Sequence, residues 1–245
     1  MKNIKYDAIV NLGGHINHKE KNKTYNSHYR GFKNLFKFAK IHKIKKIIQI
    51  GSSVEYGFVK SPVGEDTQIN KNKLKSVYGL SKYMATELLT NSKSLNDQEY
   101  YILRPFLIYG PGQDNSRLIP FVINQCLKGN KFPCSSGDQY RDFLYVTDFI
   151  DLIIKCLLNK NKEANNKIIN AASGKPIKVK NIINFIQKKI KKGKPDFGKL
   201  KLRKDEPKKL YAKNDLAKKL FNWKQKVNLD KGIGLTINYY KKNLI

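Results

Sequence analysis

Short apolar runs alternate with helix-periodic stretches through the first two-thirds of the chain. Tyr6 to Leu12 forms one apolar run, closed by Gly13-Gly14. From about Tyr29 to His42, Phe32, Leu35, Phe36 and Ala39 recur at helical spacing. Lys46 to Gly51 is a second strand-like run. Val77 to about Ser92 is again helix-periodic, with Leu80, Met84, Leu88 and Leu89 on one side. Tyr100 to Leu103 reads as a third strand, ended by Arg104-Pro105. Strands separated by helices cannot be joined by tight hairpins, so the pattern predicts βαβ units and a parallel sheet with helices on both faces. The expected class is a doubly wound α/β fold. The 245 residues suffice for one large domain or two small ones.

The later part is more mixed. Tyr109-Gly110-Pro111-Gly112 marks a loop, and a helix is expected from about Leu118 to Lys128. Arg141 to Val146 and Asp148 to Leu158 read as strand then helix. Ile177 to Lys192 predicts an amphipathic helix with Ile182, Ile183, Phe185, Ile186 and Ile190 as its apolar residues. Its other face is lysine-rich. Docking of the apolar stripe onto the domain is expected over an anionic membrane surface.

Charge narrows the partners. Lys plus Arg number 49 and Asp plus Glu 19, a formal net charge of +30. Such a balance suits nucleic acid, anionic lipid or a phosphate-bearing small molecule, although lysines spread over solvated faces would give the same total. Lys188 to Lys194 is the one dense basic run, and no nucleic-acid motif accompanies it, so nucleic-acid binding is not expected. No apolar run approaches the ~20 residues of a membrane span. Ala8-Ile9-Val10, behind the N-terminal stretch Met1 to Asp7, is too short for a signal-peptide core. Cys126, Cys134 and Cys156 are an odd number without a C-x-x-C pair, which argues against a disulfide framework or zinc ribbon and points to a reducing cytoplasm. His15 and His18 have H-x-x-H spacing without an obvious third ligand, so no metal is expected.

The sharpest chemical feature is Tyr78-Gly79-Leu80-Ser81-Lys82. Residues i and i+4 share a helix face, so Tyr78 and Lys82 should point the same way. A phenol with a pKa of about 10 is a poor base at neutral pH, and a neighbouring ammonium favours the phenolate. The pair can serve as a general acid/base at a sugar or alcohol hydroxyl. Upstream, Ile50-Gly51-Ser52-Ser53-Val54-Glu55-Tyr56-Gly57 ends a strand in small hydroxyl residues. Ligands of open α/β sheets bind at the carboxyl ends of strands, which places Ser52 within reach of a substrate hydroxyl.

Taken in order, these pieces resemble the extended short-chain dehydrogenase/reductases, specifically the NAD(P)-dependent nucleotide-sugar epimerases, dehydratases and reductases. Asp7 to Gly14 resembles the strand that ends beside the dinucleotide, and Gly51 to Gly57 the Ser/Thr-bearing active-site strand. Tyr78 and Lys82 match the catalytic pair. Leu103 to Gly112 is similar to the next signature, Arg141-Asp142-Phe143 to the Arg-Asp-Phe element, and Asn170 to Gly174 to the strand after it. The resemblance implies a Rossmann-type sheet formed by residues 1–108 and 139–172, with a smaller substrate-binding part formed by 109–138 and 173–245. It implies catalytic roles for Ser52, Tyr78 and Lys82, with Lys82 lowering the Tyr78 pKa. It implies contacts to NAD or NADP from Leu12, Gly13, Gly14, Ile50, Gly51, Tyr78, Lys82 and Pro105. Ser53, Arg117 and Arg141 would touch a nucleotide-diphosphate sugar, and arginine forks suit its phosphates. A cytoplasmic homodimer is the expected assembly.

Two departures refine the expectation. Sugar 4,6-dehydratases of this kind carry an Asp-Glu pair directly after the catalytic Thr, whereas Ser53 and Val54 stand here. Glu55 comes one residue later and, on a strand, should face away from Val54. A 4-epimerase or 4-ketosugar reductase, as found in surface-polysaccharide and deoxysugar pathways, is therefore favoured. The sequence also contains no G-x-x-G-x-x-G phosphate loop, the element whose backbone amides approach a pyrophosphate. Roughly two βα units, about 60 residues, separate the first strand here from the usual start of such a domain. A fragment, a split gene or a true truncation would each explain this. An inactive nucleotide-sugar-binding module and, behind it, a basic nucleic-acid binder are the alternative functions.

Overall fold

Alternate residues of the same strands feed two different cores. The computed structural model describes residues 5–92, 98–202 and 206–243. In chain order the first half runs β1 (Ala8–Asn11), α1 (Lys21–Tyr25), a π-helical turn (Asn26–Arg30), α2 (Gly31–Ile41), β2 (Lys46–Ile50), a 3-10 turn (Ser53–Tyr56), α3 (Val77–Thr90) and β3 (Glu99–Pro105). The second half continues with β4 (Leu107–Tyr109), α4 (Leu118–Leu127), β5 (Lys131–Pro133), β6 (Tyr140–Tyr145), α5 (Val146–Leu158) and β7 (Lys167–Ala171). It ends with β8 (Pro176–Lys178), α6 (Val179–Ile190), β9 (Lys194–Asp196), β10 (Lys209–Leu210), α7 (Asp215–Phe221) and α8 (Leu229–Lys242).

The main sheet has the order β1-β2-β3-β7, and every pairing in it is parallel. Ile47, Tyr100 and Ile102 turn to one face and pack with Phe32, Phe36, Ala39, Ala85 and Leu89 of α2 and α3. Ile48, Tyr101 and Leu103 turn to the other, against Leu152 and Cys156 of α5 and Phe221 and Trp223 beyond it. Side chains of a strand alternate between faces, so a sheet covered twice must be apolar at consecutive positions. This confirms the doubly wound parallel class.

A second sheet, β10-β6-β4 with β8 antiparallel to β6, leads to a separate core where α4, α6 and α8 meet. The amphipathic helix expected at 177–192 is α6, and its Ile182, Ile183 and Ile186 are buried in that core. Asp142 of β6 pins the junction: its carboxylate accepts bonds from the Ser173 amide and hydroxyl (2.7 and 2.6 Å), the Gly174 amide (2.9 Å) and the Ala212 amide (3.3 Å).

One boundary moved. The helix expected to begin near Tyr29 is preceded by α1 and the π turn, so helical backbone starts at Lys21. The inward residues of this extra stretch are Thr24 and His28, polar types that leave no apolar period to read. At the other edge of the core, β1 pairs only with β2 among the described residues, and Ile150, Ile154 and Leu158 of α5 are exposed in a line. Among the described residues no helix is long and apolar enough to cross a membrane.

Candidate active site

The carboxyl end of β2 turns sharply. Ser52 caps the 3-10 turn: its hydroxyl accepts from the Val54 amide (3.3 Å), while its own amide donates to the Glu55 carboxylate (2.7 Å). The reciprocal bonds form a capping box, which satisfies two orphan donors of the turn. Ser52 and Ser53 are both buried. The expectation of an extended strand here is corrected, since residues 53–56 are 3-10 helical, yet Glu55 does face away from Val54: it is fully buried while Val54 is exposed.

Helix α3 begins beside this turn. The Ser76 hydroxyl caps it by accepting from the Gly79 amide (3.0 Å), and Gly79 lets the helix approach Val54 closely. Tyr78 therefore lies in the first turn, next to Ser52. Burial holds the phenol above its ordinary value, the hydrogen-bonding Ser52 hydroxyl draws it down, the Glu55 charge raises it and Arg117 lowers it. One turn on, Lys82 is buried, with Nζ donating to the Ile50 carbonyl (2.6 Å). Desolvation lowers its pKa from 10.5 to about 8. The ammonium is thus aimed at the end of β2, while Ser52 and Arg117 lower the Tyr78 pKa.

The loop after β1 closes over Tyr78. The His18 ring stacks on the phenol ring at 3.8 Å and 12°, and His28 meets it edge-on at 5.0 Å. The His28 Nε2 lies 3.2 Å from the His15 carbonyl. Burial, then the Lys82 charge, push its pKa down to about 4. Gly14 packs on His28 so closely that a Cβ would come within 2.3 Å of the ring. Of the H-x-x-H pair, His18 stacks on Tyr78, whereas His15 Nε2 lies 3.3 Å from the Glu20 carboxylate. His18 and His28 were not legible as site residues, because nothing in sequence spacing joins a loop to a helix start some 60 positions away.

The remaining expected residues divide. Gly13 and Gly14 follow β1, Ile50 and Gly51 end β2, and Pro105 ends β3, so all lie at the carboxyl edge of one parallel sheet. Leu12, at the same edge, is exposed. Arg117 precedes α4 and its guanidinium reaches the Ile16 carbonyl at 3.4 Å, across the loop that covers Tyr78. Arg141 lies in the second sheet, buried, with its guanidinium 2.6 Å from Glu206 and 2.7 Å from the Tyr140 carbonyl. No described contact joins it to Ser52, Tyr78 or Lys82.

The Ser52 hydroxyl, the Tyr78 phenol and the Lys82 ammonium are thus brought together at the carboxyl end of one parallel sheet. A sequence model of the NAD dependent epimerase/dehydratase family matches residues 1–172. The chain belongs to that family. It is 28% identical over 221 residues to a UDP-glucuronate 4-epimerase of Thermodesulfobacterium geofontis, covering 89% of this chain and 66% of that protein. It is 26% identical over 145 residues to CDP-abequose synthase of Salmonella typhimurium, covering 57% and 48% respectively. The fold matches the crystal structure of a Bacillus cereus UDP-glucuronic acid 4-epimerase, solved with UDP-glucuronic acid and NAD, with a TM-score of 0.88 and 25% identity over 97% of this chain and 76% of that one. This family member therefore spans about half to three-quarters of the proteins it resembles.

Proposed function

We propose that this family member takes part in NAD(P)-dependent hydride exchange at a carbon of a nucleotide-diphosphate sugar, as a 4-epimerase or 4-ketosugar reductase. The convergence of Ser52, Tyr78 and Lys82 carries the reading. The Ser52 hydroxyl orients the reacting sugar hydroxyl. Tyr78 takes or returns its proton, and Arg117, which already lowers the Tyr78 pKa, supports the phenolate. The absence of a carboxylate pair at Ser53 and Val54 favours these reactions over loss of water.

The chain fits the nicotinamide-ribose end of a cofactor. Lys82 is a buried cation bonded to one carbonyl, with no carboxylate ion pair among the described residues, so it has donors left for ribose hydroxyls. Lys82, the Ile50–Gly51 backbone, the Leu12–Gly14 turn and Pro105 would hold that end. The bound nicotinamide supplies the hydride chemistry. The sequence holds no glycine-rich loop for the pyrophosphate. Arg117, Ser53 and Arg141 are the proposed sugar-nucleotide contacts. Arg141 would have to exchange its Glu206 partner for a phosphate. Residues 1–108 with 139–172, and 109–138 with 173–245, are the proposed cofactor and substrate parts.

The test is Tyr78→Phe assayed with NAD or NADP and UDP-glucose or UDP-glucuronic acid. Turnover should be lost while the sugar nucleotide still binds by calorimetry. Retained turnover would remove Tyr78 from the proton transfer.

A further inference from the structure

Glu55 is fully buried and tied to three elements at once. One carboxylate oxygen accepts the Ser52 amide (2.7 Å). The other accepts the Thr86 hydroxyl of α3 (2.8 Å) and Arg104 Nε of β3 (3.0 Å). Arg104 is equally buried, with its guanidinium carbon 4.5 Å from the Tyr56 ring centroid. The Tyr56 hydroxyl in turn donates to Asn170 of β7 (2.8 Å). Gly51 provides the space, since any Cβ there would strike the Glu55 carboxylate.

A buried ion pair costs desolvation that its attraction only partly recovers, so it is a weak source of stability. What this one supplies is geometry. It binds the turn that presents Ser52 to the helix that presents Tyr78 and Lys82, so the two halves of the site cannot slide independently.

We propose that Glu55 is a positioning residue, whose carboxylate holds the Ser52 turn against α3 and so sets the arrangement of Ser52, Tyr78 and Lys82. The proposal rests on the reaction reading given above. It acts through other groups and does not touch substrate. Arg104 and Tyr56 face the carboxylate from β3 and the turn, and Thr86, Tyr78 and Lys82 from α3. The negative charge also favours the Lys82 ammonium.

The experiment is Glu55→Gln, with Glu55→Leu/Arg104→Met as a second variant that leaves no orphaned buried charge. In ε-carbon-labelled lysine NMR, Lys82 should be the lysine titrating near pH 8, assigned by Lys82→Arg. In Glu55→Gln its midpoint should fall by about half a pH unit or more, because a negative neighbour is gone, whereas the double variant, which also loses the Arg104 charge, is read by kcat. With sugar nucleotide, kcat should drop about tenfold or more with KM nearly unchanged. An unmoved Lys82 midpoint overturns the proposal, and so does an unmoved kcat in an active enzyme. Failure of the reaction reading shows separately, as turnover retained by Tyr78→Phe.

Discussion

His28 should make the protein acid-sensitive in a way that one substitution removes. Its pKa in the folded chain is about 4, against 6.5 for a free imidazole, because burial and the Lys82 charge oppose protonation. A depressed histidine leaves the unfolded chain binding a proton that the folded chain refuses. Stability is therefore complete above about pH 6.5, falls as the pH drops towards 4, and levels off below. Across pH 7.5 to 4.5 the loss is about 2.5 kcal/mol, since each pH unit between the two pKa values corresponds to about 1.4 kcal/mol. His28→Gln keeps a side-chain donor towards the His15 carbonyl and cannot charge. Urea unfolding of both proteins across this range isolates the effect, because the acid response of all other groups cancels in the difference. Wild type should lose about 2.5 kcal/mol more than the variant. A difference that changes by under about 1 kcal/mol would refute the reasoning and place His28 in a hydrated environment.

Two other perturbations follow from the same site. Gly51→Ala puts a Cβ 2.4 Å from the Glu55 carboxylate and 3.3 Å from Arg104, so it should cost roughly 2–4 kcal/mol by urea unfolding. Lys82 is a buried charge whose pKa lies near 8, so the folded chain carries a penalty below pH 8 that is relieved between 8 and 10.5. Lys82→Met should stabilise the cofactor-free protein by about 1–3 kcal/mol at pH 7 while abolishing turnover; a destabilised variant would show that the bond to Ile50 outweighs desolvation.

Much of the site was legible because its residues are local to one strand end or one helix. Ser52 at the end of β2, and Tyr78 with Lys82 at i and i+4 on α3, follow from periodicity and the βα order alone. Glu55 was expected to face away from Val54 and does, but on a 3-10 turn and not on a strand. The capping box that turns its carboxylate inward depends on Gly51, Thr86 and Arg104 from three elements. Arg141, read as a phosphate ligand, is engaged by Glu206, 65 positions away in sequence.

The sequence by itself determined the doubly wound parallel sheet, since consecutive apolar positions flanked by helical periods admit no other economical burial. It also placed Tyr78 and Lys82 one turn apart on the same helix. Only the tertiary structure decided what sets their protonation. It turned Lys82 to the Ile50 carbonyl, laid His18 across Tyr78, and buried the Glu55–Arg104 pair behind Ser52. A pKa depends on desolvation and on charges brought in from distant parts of the chain, and neither is encoded in local spacing.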